Sequence, residues 1–236
     1  MQTLRYDLNP EHLDAVLSFM ERTGLNRLMI FTGGVDQYGR PHTTEEAERW
    51  VAERRTVAEH LAMHSFGFDI NVWSTLGHTS QIPWVEVEGY QCQVGHRGET
   101  VVDAVCPLDS RWRQTVAGLY ALYATLGPDT LWIDDDFRYH NHGVASWTCF
   151  CPLHLEHLRT QLGHFFSRQA LLAELANEPS GEVAEAWRET LNRALVVMLQ
   201  AIRERVQAVS LNTGLGLMTS SPEVHAAEGR DWPRLL

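Results

Sequence analysis

The chain has 236 residues, enough for one large domain or two small ones, and its apolar share of 44% is typical of a globular protein. It carries 30 acidic against 19 basic residues, a net charge of -11, which argues against nucleic-acid and anionic-membrane partners because phosphates are neutralised by clustered positive charge. All 19 basic residues are arginine, which excludes Schiff-base chemistry, pyridoxal-phosphate attachment and the P-loop, since each needs a lysine amine.

The first part of the chain alternates predicted helices with short apolar strands. Apolar residues at a spacing of 3.6 predict a helix over 11–23, and an apolar run predicts a buried strand over 27–31. A capping box, Thr43-Thr-Glu-Glu46, begins a second helix. A second strand is predicted over 68–75, and the polar, glycine-rich stretch 79–98 is predicted to be a long loop.

The same alternation continues towards the carboxyl end. A third strand is predicted over 100–105, a helix begins at 109 or 110, and a fourth strand over 131–133 runs directly into three aspartates. A loop is predicted to run on to Cys151. A helical region over 153–210, broken near Pro179-Ser-Gly181, then precedes a fifth strand over 215–219. The amino terminus lacks an apolar signal region and no apolar run reaches 18 residues, so we expect a soluble, cytoplasmic protein.

Short buried strands that alternate with helices predict βαβ units and a parallel sheet. A doubly wound sheet is one solution, but a (β/α)₈ barrel suits polar residues at several strand ends better, here Gly77-His78 and Asp134–Asp136. A whole barrel needs roughly 250 residues. With about five strands, we therefore expect a single, incomplete barrel domain over 1–236. Its open side would expose apolar faces and favour a homo-oligomer or a completing partner chain.

Three potential metal ligands fall within six residues, in the sequence Cys149-Phe-Cys151-Pro-Leu-His154. Zinc prefers thiolate and imidazole ligands, and a closed set of four is typical of a structural site. Cys106, just after the third predicted strand, is the candidate fourth ligand. The alternative is that these cysteines are buried, free thiols that pack as small apolar side chains.

The order of several short motifs over residues 10–165 resembles the amino-terminal part of the family-42 β-galactosidases. The family has a Pro-Trp element after strand 2, a Cys-Pro followed closely by a Tyr-Arg or similar pair, a strand similar to Gln-Ile-Asp-Asn-Glu-Tyr, and a Cys-x-Cys-x-x-Cys zinc element. The corresponding segments here are Ile82-Pro83-Trp84, Cys106-Pro107 with Trp112-Arg113, Trp132–Phe137, and Cys149-x-Cys151-x-x-His154.

This resemblance implies roles for individual residues. Asp136 occupies the position of the family's general acid/base glutamate. Asp135 replaces the asparagine before it, a position the resemblance connects with a sugar hydroxyl, and is therefore a candidate substrate contact. The implied structural zinc has a Cys₃His ligand set, with His in place of the last Cys; its ligands are Cys106, Cys149, Cys151 and His154. Trp84, by its family match, and His78, by its position at a strand end, are candidate substrate contacts. The family's nucleophile follows the seventh strand, and we find no counterpart of it in this chain.

Two functions follow as expectations. The first is a glycoside hydrolase acting on a β-galactoside-like substrate, in which Asp136 protonates the leaving oxygen and a second carboxylate attacks the sugar. The second is a non-catalytic, carbohydrate-binding or degenerate barrel that keeps the structural zinc; the shorter Asp at position 136 and the missing nucleophile favour it. A metal-dependent hydrolase using Asp134, Asp136 and His140 is a third possibility, which no established ligand spacing supports.

Overall fold

The structure is a computed structural model that describes residues 2–3, 10–33, 39–78 and 82–218; within these ranges the side chains of residues 2–3, 10–11 and 140–142 are not described. Seven helices lie in these ranges: α1 (Pro10–Thr23), α2 (Thr44–Met63), α3 (Trp84–Val87), α4 (Ser110–Ala124), α5 (Pro152–Leu162), α6 (Arg168–Asn177) and α7 (Glu182–Gln207). The strands are β1 (Gln2–Thr3), β2 (Arg27–Phe31), β3 (Gly67–Val72), β4 (Cys92–Val94), β5 (Thr100–Val105), β6 (Thr130–Ile133), β7 (His140–His142), β8 (Ala145–Trp147) and β9 (Gly214–Leu217).

Five parallel strands form the main sheet in the order β1-β2-β3-β6-β9. The strands lie side by side in the same order in which they follow one another along the sequence, so the strand order never reverses. A doubly wound sheet has a point where the order reverses, whereas the strands of a β/α barrel follow one another around the sheet. The mixed α/β, barrel-type fold predicted from the sequence is therefore confirmed, and the doubly wound alternative is not.

Alternation along the strands gives the sheet one fully buried face. Aliphatic side chains at alternate positions of the central strands point to that face and are buried: Leu28, Ile30, Ile70, Val72, Leu131 and Ile133. Successive side chains of a strand point to opposite faces, so a buried row on each of β2, β3 and β6 fixes the register of these three strands against a one-residue slip.

The chain divides into two compact units. The sheet unit comprises Met1–Thr75, Thr115–Asp134 and Ile202–Met218, and the cysteine unit comprises Leu76–Gln114, Asp135–Ala201 and Thr219–Leu236. The cysteine unit is thus built from the two long connections that follow β3 and β6. Among the described residues, no helix has both the length and the apolar character that crossing a bilayer requires.

The first long connection differs from its prediction. The stretch 79–98, predicted to be a loop, contains α3 and β4. The predicted third strand is β5, but it pairs antiparallel with β4 and takes no part in the parallel sheet. Local β propensity therefore identified β5 correctly, but only long-range pairing decides which sheet a strand joins. The fifth parallel strand is instead β1, which we did not predict.

The second long connection also has more structure than predicted. The β7–β8 hairpin falls where a loop was expected, and the helical region breaks a second time, between α5 and α6. Gly163 ends α5 with a left-handed φ of +76°, and the Ser167 hydroxyl accepts a hydrogen bond from the Ala170 N–H at 3.2 Å to begin α6. The last predicted strand is β9, and its predicted end at Thr219 lies outside the described residues.

The predicted capping box is present at the start of α2. The Thr43 hydroxyl accepts from the Glu46 N–H at 3.2 Å, and the Glu46 carboxylate accepts from the Thr43 N–H at 2.7 Å. The Arg40 guanidinium forms a bidentate ion pair with the same carboxylate, with nitrogen–oxygen distances of 2.9 and 2.8 Å. Partial burial opposes ionisation of Glu46, but the hydrogen bonds from Arg40 and Thr43 outweigh it and lower its pKa from 4.5 to about 2.

The lowered pKa of Glu46 predicts an acid-dependent part of the stability. The unfolded chain binds the proton first as the pH falls, so the contribution of this carboxylate is complete above pH 4.5 and is lost as the pH falls to about 2. We expect the difference in free energy of unfolding between the wild type and Glu46→Gln, measured by urea denaturation, to shrink over that range. Glu45→Gln in the same helical turn is the control. A pH-independent difference for Glu46→Gln would contradict the prediction.

Candidate functional site

Two separate segments of the cysteine unit bring the predicted metal ligands together. Cys106 directly follows β5, Cys149 and Cys151 lie between β8 and α5, and His154 is in the first turn of α5. All four side chains are completely buried. Pro152 begins α5, where its fixed φ suits the first helical position, and this start places His154 on the same side as Cys151.

The four side chains place one sulfur or nitrogen atom each within 4.8 Å of all the others. The His154 Nδ1 lies 3.3 Å from the Cys106 Sγ and 3.4 Å from the Cys151 Sγ, and these two sulfurs are 3.5 Å apart. Tetrahedral zinc with ordinary bond lengths would require about 3.8 Å between sulfurs and about 3.6 Å between sulfur and nitrogen. The three distances among Cys106, Cys151 and His154 fit a tetrahedral site within a few tenths of an ångström, and the Cys149 sulfur lies within 4.8 Å of these atoms. The Cys106 and Cys151 sulfurs are too far apart for a disulfide.

The protonation of the cluster reflects its burial. Burial raises the pKa of the Cys106 and Cys149 thiols well above the usual value of 9.0. At Cys151 burial also opposes ionisation, but hydrogen bonds from the other two thiols and the neighbouring His154 outweigh it and lower its pKa. Within the cluster Cys151 is thus the thiol that ionises most readily. A bound cation would supply the positive charge that the other two thiolates lack.

Several polar groups surround the four ligands. The Tyr139 Oη lies 3.3 Å from the His154 Nε2 and donates a hydrogen bond to the Leu191 carbonyl at 3.0 Å. On the other side, the Leu108 N–H points at the Cys106 sulfur at 3.4 Å. Thr148 directly precedes Cys149, and its hydroxyl contacts the Gln93 side-chain carbonyl and the Tyr139 carbonyl. The loop that carries the cysteines is therefore held by buried hydrogen bonds.

Asp136 lies in the interior of the cysteine unit. Its carboxylate is 0% exposed, and its Oδ2 accepts hydrogen bonds from the Leu76 and Gly77 N–H groups, both at 2.7 Å. Gly77 has a φ of +121°, and a Cβ there would collide with the Asp103 carbonyl oxygen. The segment that follows β3 is therefore fitted closely around this carboxylate.

Asp135 and His78 adjoin the residues just described: Asp135 precedes Asp136, and His78 follows Gly77. The Asp135 side chain is 53% exposed and pairs with Arg138 at 2.8 Å. His78 is half-buried, and one of its ring nitrogens lies within 4.8 Å of an Asp135 carboxylate oxygen. The structure thus brings these two predicted substrate contacts together. Asp134 is buried at the end of the sheet unit, and the side chain of His140 lies outside the described residues.

Trp84, the third predicted substrate contact, lies in the interior of the cysteine unit. Its indole N–H donates to the Asp103 carbonyl at 3.1 Å, and its ring packs against Trp112 with the centroids 5.2 Å apart. Only 5% of its surface is exposed. These contacts satisfy the indole within the protein core.

Sequence reasoning did not identify Tyr139, Gln93 or Thr148 as neighbours of the cluster. No spacing rule connects them with the cysteines, because they come together only when the hairpins β4–β5 and β7–β8 form. The one available signal was the position of Tyr139 between the aspartates and the first cysteine. Cys92 lies outside the cluster, and burial raises the pKa of its thiol to about 11.

Comparison with solved structures identifies the class of fold. The chain superposes on the β-galactosidase of Bacillus circulans sp. alkalophilus with a TM-score of 0.57 at 12% identity, covering 92% of this chain and 36% of that one. It matches the GH42 β-galactosidase Gan42B of G. stearothermophilus with a TM-score of 0.56 at 13% identity, covering 92% and 34%. An α-galactosidase of Lactobacillus brevis gives 0.51 at 7% identity, covering 94% and 27%.

These likenesses show a glycosidase-type barrel fold and confirm, at the level of the fold, the resemblance to the family-42 β-galactosidases. The chain spans about a third of the length of the β-galactosidases that it matches. No known family profile matches the sequence, and no curated protein matches it.

The contacts of Asp136 predict a structural role for its carboxylate. Asp136→Ala would leave two buried peptide N–H groups without an acceptor, and we expect the free energy of unfolding to fall by about 2–5 kcal/mol. Asp135→Ala, which removes an exposed ion pair in the same turn, should cost about 0–1 kcal/mol. Urea denaturation followed by circular dichroism measures both. Equal costs for the two variants would show that the Asp136 hydrogen bonds do not stabilise the fold.

Proposed function

We propose that this chain is a carbohydrate-binding barrel module of the glycosidase type, with a structural zinc ion in its cysteine unit. The observation that carries the proposal is the likeness to galactosidase barrels over 92% of the chain. The net charge of -11 supports a neutral sugar ligand over a nucleic acid. The whole protein's ligand would then be a galactoside-like sugar, bound at the carboxyl ends of the parallel strands.

Within this proposal, His78 and Asp135 are the sugar contacts. They lie close together, Asp135 is exposed and His78 is half-buried, and they follow β3 and β6, the strands whose ends form sites in barrels. A carboxylate oxygen and an imidazole nitrogen can accept from or donate to neighbouring sugar hydroxyls. The buried Trp84 would support the segment from within and would not touch the sugar.

Binding without hydrolysis is the version that the geometry favours. An acid/base catalyst must reach the glycosidic oxygen, whereas the Asp136 carboxylate is buried and one of its oxygens accepts two peptide N–H groups. The second candidate function is hydrolysis with Asp136 as general acid/base. Its support is the position of Asp136 after β6, where the family-42 resemblance puts that residue.

Titration with galactose and with an aryl β-galactoside tests the sugar proposal. We expect calorimetry to show binding by the wild type and a Kd raised about 3- to 10-fold in His78→Ala, the loss of one hydrogen bond. His96→Ala, another half-buried histidine of the cysteine unit, should bind as the wild type does. Absence of binding by the wild type would refute the proposal.

Release of the aryl group separates binding from hydrolysis. If Asp136 were the acid/base, the wild type would turn over the aryl galactoside and Asp136→Asn would not, with sugar affinity preserved. The binding version expects no turnover by either protein.

The zinc proposal is supported by the donor set and by its spacing, which fits a tetrahedral Cys₃His site. Cys106, Cys149, Cys151 and His154 would hold the ion, which would link the segments after β5 and β8 to α5. A zinc ion enclosed by four protein ligands supplies folding free energy rather than a reactive water.

Elemental analysis of purified protein tests this site directly. We expect about one zinc per chain in the wild type, as one Cys₃His set holds one ion, and a large loss of zinc and a lowered Tm in Cys149→Ala. Cys92→Ala removes a buried thiol of the same unit outside the cluster and should keep its zinc. Wild-type protein that is free of metal and equally stable with and without a chelator would support the alternative of packed free thiols.

A further inference from the structure

Tyr139 carries a buried hydroxyl group beside the proposed zinc ligands. We infer that Tyr139 is the positioning residue for His154: it holds the imidazole in the tautomer whose Nδ1 is free to bind the metal and whose Nε2 carries the proton. The inference rests on the proposed zinc site. It adds an outer partner, specific to this chain, that the ligand set alone does not reveal.

Two hydrogen bonds link His154 through Tyr139 to the Leu191 carbonyl, and this carbonyl fixes the direction of both. The Leu191 carbonyl can only accept, so the Tyr139 hydroxyl gives its proton to that oxygen at 3.0 Å. The Tyr139 oxygen, 3.3 Å from the His154 Nε2, is then oriented to accept a proton from the ring. A neutral imidazole carries one N–H. With the proton on Nε2, Nδ1 presents its lone pair to the two sulfurs at 3.3 and 3.4 Å.

The rings around His154 fix its orientation as well as its tautomer. The Tyr139 ring meets the imidazole edge to face, with centroids 5.6 Å apart and planes at 88°. Trp187 of α7 packs on it at 6.2 Å and 66°. Rotation of the imidazole would break the Tyr139 contact and move Nδ1 away from the sulfurs.

The need for such a partner follows from the residue type at position 154. A thiolate offers one sulfur to a metal, whereas an imidazole offers two nitrogens and has two tautomers. Histidine ligands are therefore oriented by a hydrogen bond to the second nitrogen, and loss of such a partner typically weakens metal binding by about 10- to 100-fold. Here that hydrogen bond runs through Tyr139 to the backbone of α7.

Zinc affinity of Tyr139→Phe, measured on the full chain by competition with a chromophoric chelator, tests the inference. The variant keeps the ring and removes the hydroxyl, and we expect its Kd for zinc to rise about 10- to 100-fold. Tyr120→Phe is the matched control, because Tyr120 is equally buried and its hydroxyl contacts that of Thr75 at 2.7 Å within the sheet unit. Its Kd should equal that of the wild type.

A double-mutant cycle tests whether the effect of Tyr139→Phe on zinc affinity depends on the His154 imidazole. In a His154→Cys background the four ligands are all thiolates, so adding Tyr139→Phe should change the Kd less than about twofold. An equally large effect of Tyr139→Phe in both backgrounds would assign Tyr139 a general structural role and overturn the inference. So would equal zinc affinities of Tyr139→Phe and the wild type, an outcome that leaves the zinc proposal intact.

Nitrogen NMR of histidine-labelled, zinc-loaded wild type gives a second readout that needs no variant to fold. We expect the His154 signals of a protonated Nε2 and a metal-bound Nδ1; a metal-bound Nε2 would overturn the inference. Wild-type protein that takes up no zinc would refute the zinc proposal and this inference together, and is distinguished from the other outcomes by its metal content.

Discussion

The burial of three thiols and one imidazole within 4.8 Å of one another is the constraint on which the cysteine unit depends. Buried polar groups are stable only when each has a partner, and these four partner mainly one another. Cys106 comes from one long connection of the barrel, and Cys149, Cys151 and His154 come from the other. The cluster therefore helps to join these two segments, which hydrogen bonds from the Phe150 N–H to the Val94 carbonyl and from the His96 N–H to the Trp147 carbonyl also connect. A cation in its centre would convert weak thiol contacts into strong bonds.

Asp136 also provides a partner for buried polar groups, in this case two peptide N–H groups. β3 ends at Val72, and the peptide N–H groups of Leu76 and Gly77 follow the end of this strand by four and five residues. One buried carboxylate oxygen accepts both of them. A charged acceptor makes stronger hydrogen bonds to peptide N–H groups than a neutral one does. The carboxylate is therefore suited to organising the segment that carries His78.

The sequence predicted those elements whose signal is local. The capping box of α2 and the apolar runs of β2 and β6 depend on neighbouring residues, and they were located within one or two positions. The pairing of β5 with β4 and the inclusion of β1 in the parallel sheet are long-range events, which propensity does not encode. The spacing Cys149-x-Cys151-x-x-His154 predicted three of the four grouped ligands, and Cys106 was added from its position after a strand and from the family resemblance. Tyr139 follows no such rule.

The same distinction explains why a motif located Asp136 but not its environment. A strand-end motif fixes where the backbone places a residue, since parallel strands all end at one edge of the sheet. It does not fix which way the side chain turns once the strand has ended, and here β6 ends at Ile133, three residues earlier. Aspartate, one methylene shorter than glutamate, reaches the nearby peptide N–H groups of the preceding connection. A shorter carboxylate at this position thus favours anchoring the fold, whereas a longer one could extend beyond those donors towards a ligand.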